Sequence, residues 1–171
     1  MSLCRNLAIL AGTSTIAATI AFGLFDYRLN VTPSYPLGIY QLERRAPELG
    51  ELTLTCPPQN HVVSYGIGSG FIPSPKQTFW MHAPCPYSLP VMKRVAALGG
   101  ARITIKGEWL EINGLPSSLM LNQVPTYHVA YELKPNEALL LAEHKDSFDG
   151  RYWGPSNADE FHGTMRPIFI F

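Results

Sequence analysis

The sequence predicts a mostly β domain, a small barrel or folded sheet, behind one N-terminal transmembrane helix. Three observations carry that expectation. Residues 6–25, NLAILAGTSTIAATIAFGLF, contain no charged side chain. Beyond them the chain divides into short segments rich in β-favouring residues and separated by turn signals. No heptad, long amphipathic helix or internal repeat appears anywhere.

The first element is the uncharged segment. At about 1.5 Å per residue, a helix over residues 6–25 covers about 30 Å, the thickness of a bilayer core. Arg5 precedes it; Asp26 and Arg28 follow it. Thr13, Ser14, Thr15 and Thr19 leave it only moderately apolar. A cleaved secretory signal is the alternative, although such signals have a shorter apolar stretch and a small-x-small cleavage site. Residues 1–28 are therefore read as a membrane anchor or signal sequence, and residues 29–171 as the functional domain. Charge does not settle orientation, because Arg28, Arg44 and Arg45 offset Arg5.

The strands follow in order. Residues 38–43 (GIYQLE) and 51–55 (ELTLT) alternate or carry β-favouring side chains. Residues 89–98 (LPVMKRVAAL) form an apolar run broken by two cations. Residues 102–105 and 109–112 flank Lys106-Gly107-Glu108, a tight hairpin, and Asn113-Gly114 supplies a second strong turn signal. Residues 138–142 (ALLLA) read as a buried strand and 164–171 (TMRPIFIF) as a closing one.

Between Leu52 and Met92 the sole formally charged residue is Lys76, and seven of the chain's 15 prolines fall there. Prolines cannot join a central sheet, so most of this stretch reads as irregular loop, with a Pro-rich insertion at about 56–88. Tyr65, Phe71, Phe79, Trp80 and Tyr87 lie in it. It is either an insertion packed on its own side chains or an apolar lip meeting a membrane or a hydrophobic substrate.

Charge excludes some functions. The chain has 13 basic and 13 acidic residues, a net charge of zero. Nucleic acid held by bulk electrostatics needs a basic surplus, so no nucleic-acid partner is expected. An apolar content of 46% excludes a disordered chain.

Cys56 and Cys85 bracket the uncharged loop, and in a translocated domain they would form a disulfide. The competing reading takes Cys56, His61, His82 and Cys85 as four zinc ligands, but the Pro-rich surroundings do not resemble a zinc ribbon or finger. His128, His144 and His162 are scattered and read as surface or satisfied histidines. No metal and no cofactor is expected.

Common catalytic signatures are absent: there is no G-x-S-x-G elbow, no phosphate-binding loop and no S-x-x-K pair. Lys93 stands out instead. On a strand, Val91, Lys93 and Val95 share one face while Met92, Arg94 and Ala96 share the other. One cation must therefore face apolar surroundings. Burial disfavours the ammonium form; a lysine base near neutral pH needs its pKa lowered by roughly 3, about 4 kcal/mol of differential desolvation. The plain alternative is a lysine that snorkels to solvent or pairs with a carboxylate. A nucleophile for such a base is Ser34, held on a stiff turn by Pro33, Pro36 and Gly38.

Three blocks then carry a family resemblance. They are Thr32-Pro-Ser34-x-Pro36-x-Gly38-Ile-Tyr40, Met92-Lys93-Arg94-Val95, and the late block Ser147-Phe-Asp149-Gly-Arg151-Tyr-Trp-Gly-Pro155. With the ending Arg166-Pro167-Ile168, the chain resembles the membrane-anchored signal peptidases with a Ser/Lys dyad, most of all the TraF-type conjugal transfer peptidases. The resemblance implies a signal-peptidase-like folded β-sheet with Ser34 as nucleophile and Lys93 as general base. It implies that the Ser34 N–H and the Thr32 hydroxyl stabilise an oxyanion, and that Ser147 orients the lysine. It also implies an aspartate that matters for activity, read as Asp149 with Asp146 as second choice, and that Asp149 and Arg151 hold the late block together. Outside the resemblance, Asp149 and Arg151 are a local ion pair worth little if exposed.

The implied protein is a single-pass bacterial inner-membrane peptidase with a periplasmic catalytic domain. It would cleave, or cleave and cyclise, a secreted pilin precursor beside other transfer-apparatus proteins. A general type I signal peptidase and a non-catalytic pilus assembly factor are the alternatives. Two departures from the pattern exist. Tyr35 stands where signal peptidases usually have Met, and Leu98-Gly99-Gly100-Ala101 lacks the acid that usually follows the lysine block.

Overall fold

The computed structural model describes Asn6, Gly12 and residues 23–74, 85–106, 108–120 and 124–171. Most of the expected membrane-spanning segment, and Lys76, Phe79, Trp80 and His82, lie outside the described residues. Among the described residues no helix is long and apolar enough to cross a membrane.

Among the described residues, eleven strands, two short α-helices and a 3-10 turn at Ala158–Glu160 follow one another. The order is β1 (Tyr27–Asn30), β2 (Gly38–Glu43), β3 (Leu52–Thr55), α1 (His61–Gly68), β4 (Val91–Leu98), β5 (Arg102–Lys106) and β6 (Trp109–Ile112). Then come β7 (Leu115–Leu119), β8 (Ala130–Glu132), β9 (Glu137–Leu141), α2 (Gly150–Trp153), β10 (Ser156–Asn157) and β11 (Phe161–Ile170). The mostly β expectation holds. Seven strands form one sheet in the order β1-β2-β11-β3-β4-β9-β10, and four form a second in the order β7-β6-β5-β8. The pairings are antiparallel.

Residues 38–43 form a strand as the alternation predicts, with every second side chain buried. Asn113 and Gly114 both take positive φ, 53° and 82°, joining β6 to β7 through Ile112 paired with Leu115. That geometry is the mirror-image turn whose twist matches the flanking strands.

The Pro-rich stretch differs from expectation. Its prolines stop short of residues 61–68, and that proline-free window closes into α1. Asn60 caps the helix by accepting from the Val63 N–H at 3.0 Å. Val62 and Val63 pack with Ile72 against Phe148, Tyr152 and Trp153, so the insertion rests on the late block.

Ala97, Leu139 and Leu141 of the large sheet pack against Ile103 and Leu110 of the small one. Tyr35, Tyr40, Leu42, Leu52, Ala142 and Met165 make another cluster beneath the turn that carries Ser34.

Candidate active site

β4 is an interior strand of the large sheet, between β3 and β9. Its alternation buries Lys93 and Val95, and Lys93 is 3% exposed. Thr53 lies opposite Lys93 on β3 and is itself buried, its hydroxyl donating to the Gly163 carbonyl at 2.9 Å. The lysine therefore does not snorkel. Burial pulls its pKa down from 10.5 to about 8; Asp149 pulls it back up, and Arg151 lowers it again.

Three side chains from distant parts of the chain meet at that amine. Lys93 Nζ lies 2.7 Å from Ser147 Oγ and 3.4 Å from Ser34 Oγ. The two serine oxygens are 3.3 Å apart, and either hydroxyl can donate to the other. A neutral amine here has a hydrogen to give Ser147 and a lone pair to offer Ser34.

The turn holding Ser34 joins β1 to β2. Asn30, the last residue of β1, organises it in a way the sequence did not disclose. Its Nδ2 donates to the carbonyls of Thr32, Tyr35 and Pro36 at 3.0–3.1 Å, while its Oδ1 accepts from the Thr32 N–H. Tyr40 donates to the Pro36 carbonyl from below at 2.8 Å. Thr32 is exposed and gives its hydroxyl proton to Asn30 Oδ1 at 2.9 Å. Its hydroxyl must leave Asn30 before it can serve an oxyanion.

Behind Ser147 stands a buried ion pair. Asp149 is fully buried and Arg151 is 3% exposed, with Nη2 2.7 Å from the carboxylate. Asp149 also accepts from the Ala142 and Arg151 N–H groups. The arginine donates to the carbonyls of His144, Lys145 and Ser147 at 2.9–3.0 Å. The pair is thus not an exposed surface contact; it ties the end of β9 to the loop that presents Ser147. Asp146 is exposed, with its N–H on the His144 ring, outside this network.

Cys56 and Cys85 are joined in a disulfide, Cα to Cα 5.5 Å. The zinc set weighed in the sequence is not brought together as such: His61 is exposed on α1, and His82 lies outside the described residues. A different histidine, His162, faces the two sulfurs.

This arrangement sets a serine hydroxyl beside a desolvated amine on a folded β-sheet. The family described as signal peptidase, peptidase S26, matches residues 2–170. The chain belongs to that family, whose members are serine-peptidase-type hydrolases. Among its relatives, the plasmid transfer protein TraF of Escherichia coli is 32% identical, covering 99% of this chain and 97% of its own. The conjugal transfer protein TraF of Agrobacterium fabrum is 30% identical over 94% of this chain and 92% of that one.

Proposed function

We propose that this chain is a membrane-anchored serine endopeptidase of conjugative transfer, acting on a secreted pilin precursor at the periplasmic face of the inner membrane. The observation that carries the chemistry is the buried Lys93 amine within hydrogen-bond reach of both Ser34 and Ser147. Neutral Lys93 takes the proton from Ser34 as its Oγ attacks the scissile carbonyl, giving an acyl-enzyme. The Lys93 ammonium then returns that proton to the leaving amine. Ser147 holds the amine in place, and Asp149 with Arg151 fixes Ser147. The Ser34 N–H and the Thr32 hydroxyl, once released from Asn30, stabilise the oxyanion at a typical ~3 kcal/mol per donor. Water, or the substrate's own amino terminus, resolves the acyl-enzyme to a linear or a cyclic product.

Exposed apolar side chains around the nucleophile turn support the membrane setting. Leu29 of β1, Ile39 of β2 and Phe169 of β11 share one row across three adjacent strands. Leu24, Phe25, Val31, Leu37 and Phe171 are exposed nearby in the chain or on those strands. This surface begins at the end of the uncharged segment 6–25; in 52–92, the other stretch weighed as an apolar lip, the exposed large apolar residues among those described are Tyr65, Phe71 and Tyr87. The transfer role rests on the relatives, which are named as plasmid or conjugal transfer proteins.

Prepilin incubated in membranes with the wild type, Ser34→Ala and Lys93→Ala tests the proposal. Processing by the wild type and by neither variant is expected. Processing by both variants refutes the dyad, and failure of the wild type favours an assembly factor. Cleavage of general secretory precursors at a similar rate favours a type I signal peptidase. Mass spectrometry separates linear from cyclic product.

A further inference from the structure

His162 occupies a bulge. β11 pairs Phe161 with Thr55 and Gly163 with Leu54, so His162 is the extra residue between two consecutive partners on β3. A bulge re-aims a side chain that regular alternation would place elsewhere. This one is built in by Gly163, which has φ +145°; a Cβ there would lie 2.2 Å from the Glu43 carbonyl oxygen. The side chain is turned onto the disulfide, with Nε2 3.3 Å from Cys56 Sγ and 3.9 Å from Cys85 Sγ.

We infer that Cys56, Cys85 and His162 form a redox-gated site for a thiophilic divalent cation such as Zn2+, closed in the disulfide state and opened by a dithiol reductant. The reductant's two thiols become a disulfide, and two electrons and two protons convert the Cys56–Cys85 bond to two thiols. The cation then displaces both thiol protons to solvent and takes two thiolates and the His162 Nε2 lone pair.

The distances suit this ion. Tetrahedral zinc, with Zn–S of about 2.3 Å and Zn–N of about 2.0 Å, sets sulfur and nitrogen about 3.5 Å apart and the two sulfurs about 3.8 Å apart. The two sulfur–nitrogen distances already straddle the first value, and all three ligand atoms lie within 4.8 Å of one another. Opening the disulfide moves the sulfurs toward the second. A cavity of about 500 Å3 is lined by Cys56 and Cys85 together with Asn60, Val63 and Glu160, so both sulfurs border open space from which a cation could approach. His162 lies 106 residues from Cys56, so no local spacing motif announces the set.

The test is Zn2+ binding to the full-length chain in detergent, by equilibrium dialysis with metal analysis, after treatment with a dithiol and removal of excess reductant. Cd2+ in place of Zn2+ reports thiolate ligation through its ultraviolet charge-transfer band. One ion per reduced chain and none per oxidised chain is expected. His162→Ala should weaken binding at least about 100-fold, more than losing an outer-shell partner does. His61→Ala should leave it unchanged. If the alanine variant does not fold, His162→Gln takes its place. Equal binding by the His162 variant, equal binding by the oxidised protein, or no binding by the reduced wild type each overturns the inference. The assay needs no peptidase activity, so its outcome is independent of the proposed function.

Discussion

Tyr35 lies beneath the guanidinium of Arg94, with 5.6 Å from Cζ to the ring centroid. These are the chain neighbours of Ser34 and Lys93, so those two side chains are joined a second time by the residues beside them. The Tyr35 hydroxyl donates to the Leu141 carbonyl at 2.7 Å, and Arg94 is held by Glu143 and by the Gly50 carbonyl at 2.6 Å. Tyr35→Phe leaves a buried carbonyl without its donor, a cost of about 1–2 kcal/mol in urea unfolding. In the peptidase assay it should lower kcat with little change in KM, because it loosens the nucleophile rather than substrate contacts.

Lys93 makes stability depend on pH in a direction set by its lowered pKa. Below about 8 both folded and unfolded chains carry the proton, and the full cost of burying an ammonium is present. Between about 8 and 10.5 the folded chain has released the proton and the unfolded chain has not, so stability rises with pH. The full rise is on the order of 3 kcal/mol. Lys93→Met should be more stable than wild type at pH 7, and the difference should shrink as pH passes from 8 to 10.5. Denaturant midpoints across that range check it. Peptidase activity should climb through about pH 8 as the base becomes neutral.

Breaking the buried pair is the most damaging single change near the site. Asp149→Asn leaves the Arg151 charge without its carboxylate in a closed environment, at a cost of about 3–5 kcal/mol. Thermal unfolding should show it at once. Where the variant stays folded, the Lys93 pKa should fall further, because Asp149 raises it. The activity profile should then move to lower pH.

Asn30 offers a test of the nucleophile turn alone. Asn30→Ala removes the donor that three carbonyls share, and stability should fall by only about 1–2 kcal/mol because the turn is largely exposed. A displacement of Ser34 by about 1 Å should cost on the order of 100-fold in kcat. Single-turnover processing would separate this from a binding defect.

Replacing Cys56 and Cys85 together by Ser opens a link across 29 residues and should cost about 3–4 kcal/mol. Because the linked segment packs on Phe148, between Ser147 and Asp149, the loss should also slow the peptidase. Thiol labelling of the untreated wild type should find neither cysteine reactive.

The sequence made those features visible that depend on local period or turn chemistry. The alternation in GIYQLE, the Asn113-Gly114 turn and the two-faced pattern around Lys93 all hold in three dimensions. Lys93 was legible from strand alternation and Ser34 from its Pro-flanked turn, Ser147 came only from the resemblance, and the structure adds the meeting of the three side chains. α1 was hidden because the flanking prolines dominated a window whose central eight residues contain none. β7, LPSSL, was hidden because it is largely exposed and has proline and serines where a strand signal needs branched or aromatic residues. The roles of Asn30 and His162 depend on a turn's carbonyl geometry and on a bulge, and neither leaves a mark in composition or spacing.

β4 lies inside the large sheet, laddered on one side to β3 and on the other to β9, whereas Ser34 rides on the connection between β1, at the sheet's edge, and β2. Ser34 and Lys93 therefore differ in how much they can move. Amide hydrogens near Lys93 should exchange only on global unfolding, and those of residues 31–37 through small local openings. In the proposed reaction the 3.4 Å gap between Ser34 and Lys93 would close by the serine swinging toward a stationary lysine. On the proposed function, a docking substrate would tune the rate by stilling one hairpin connection, while the rest of the large sheet serves as its anvil.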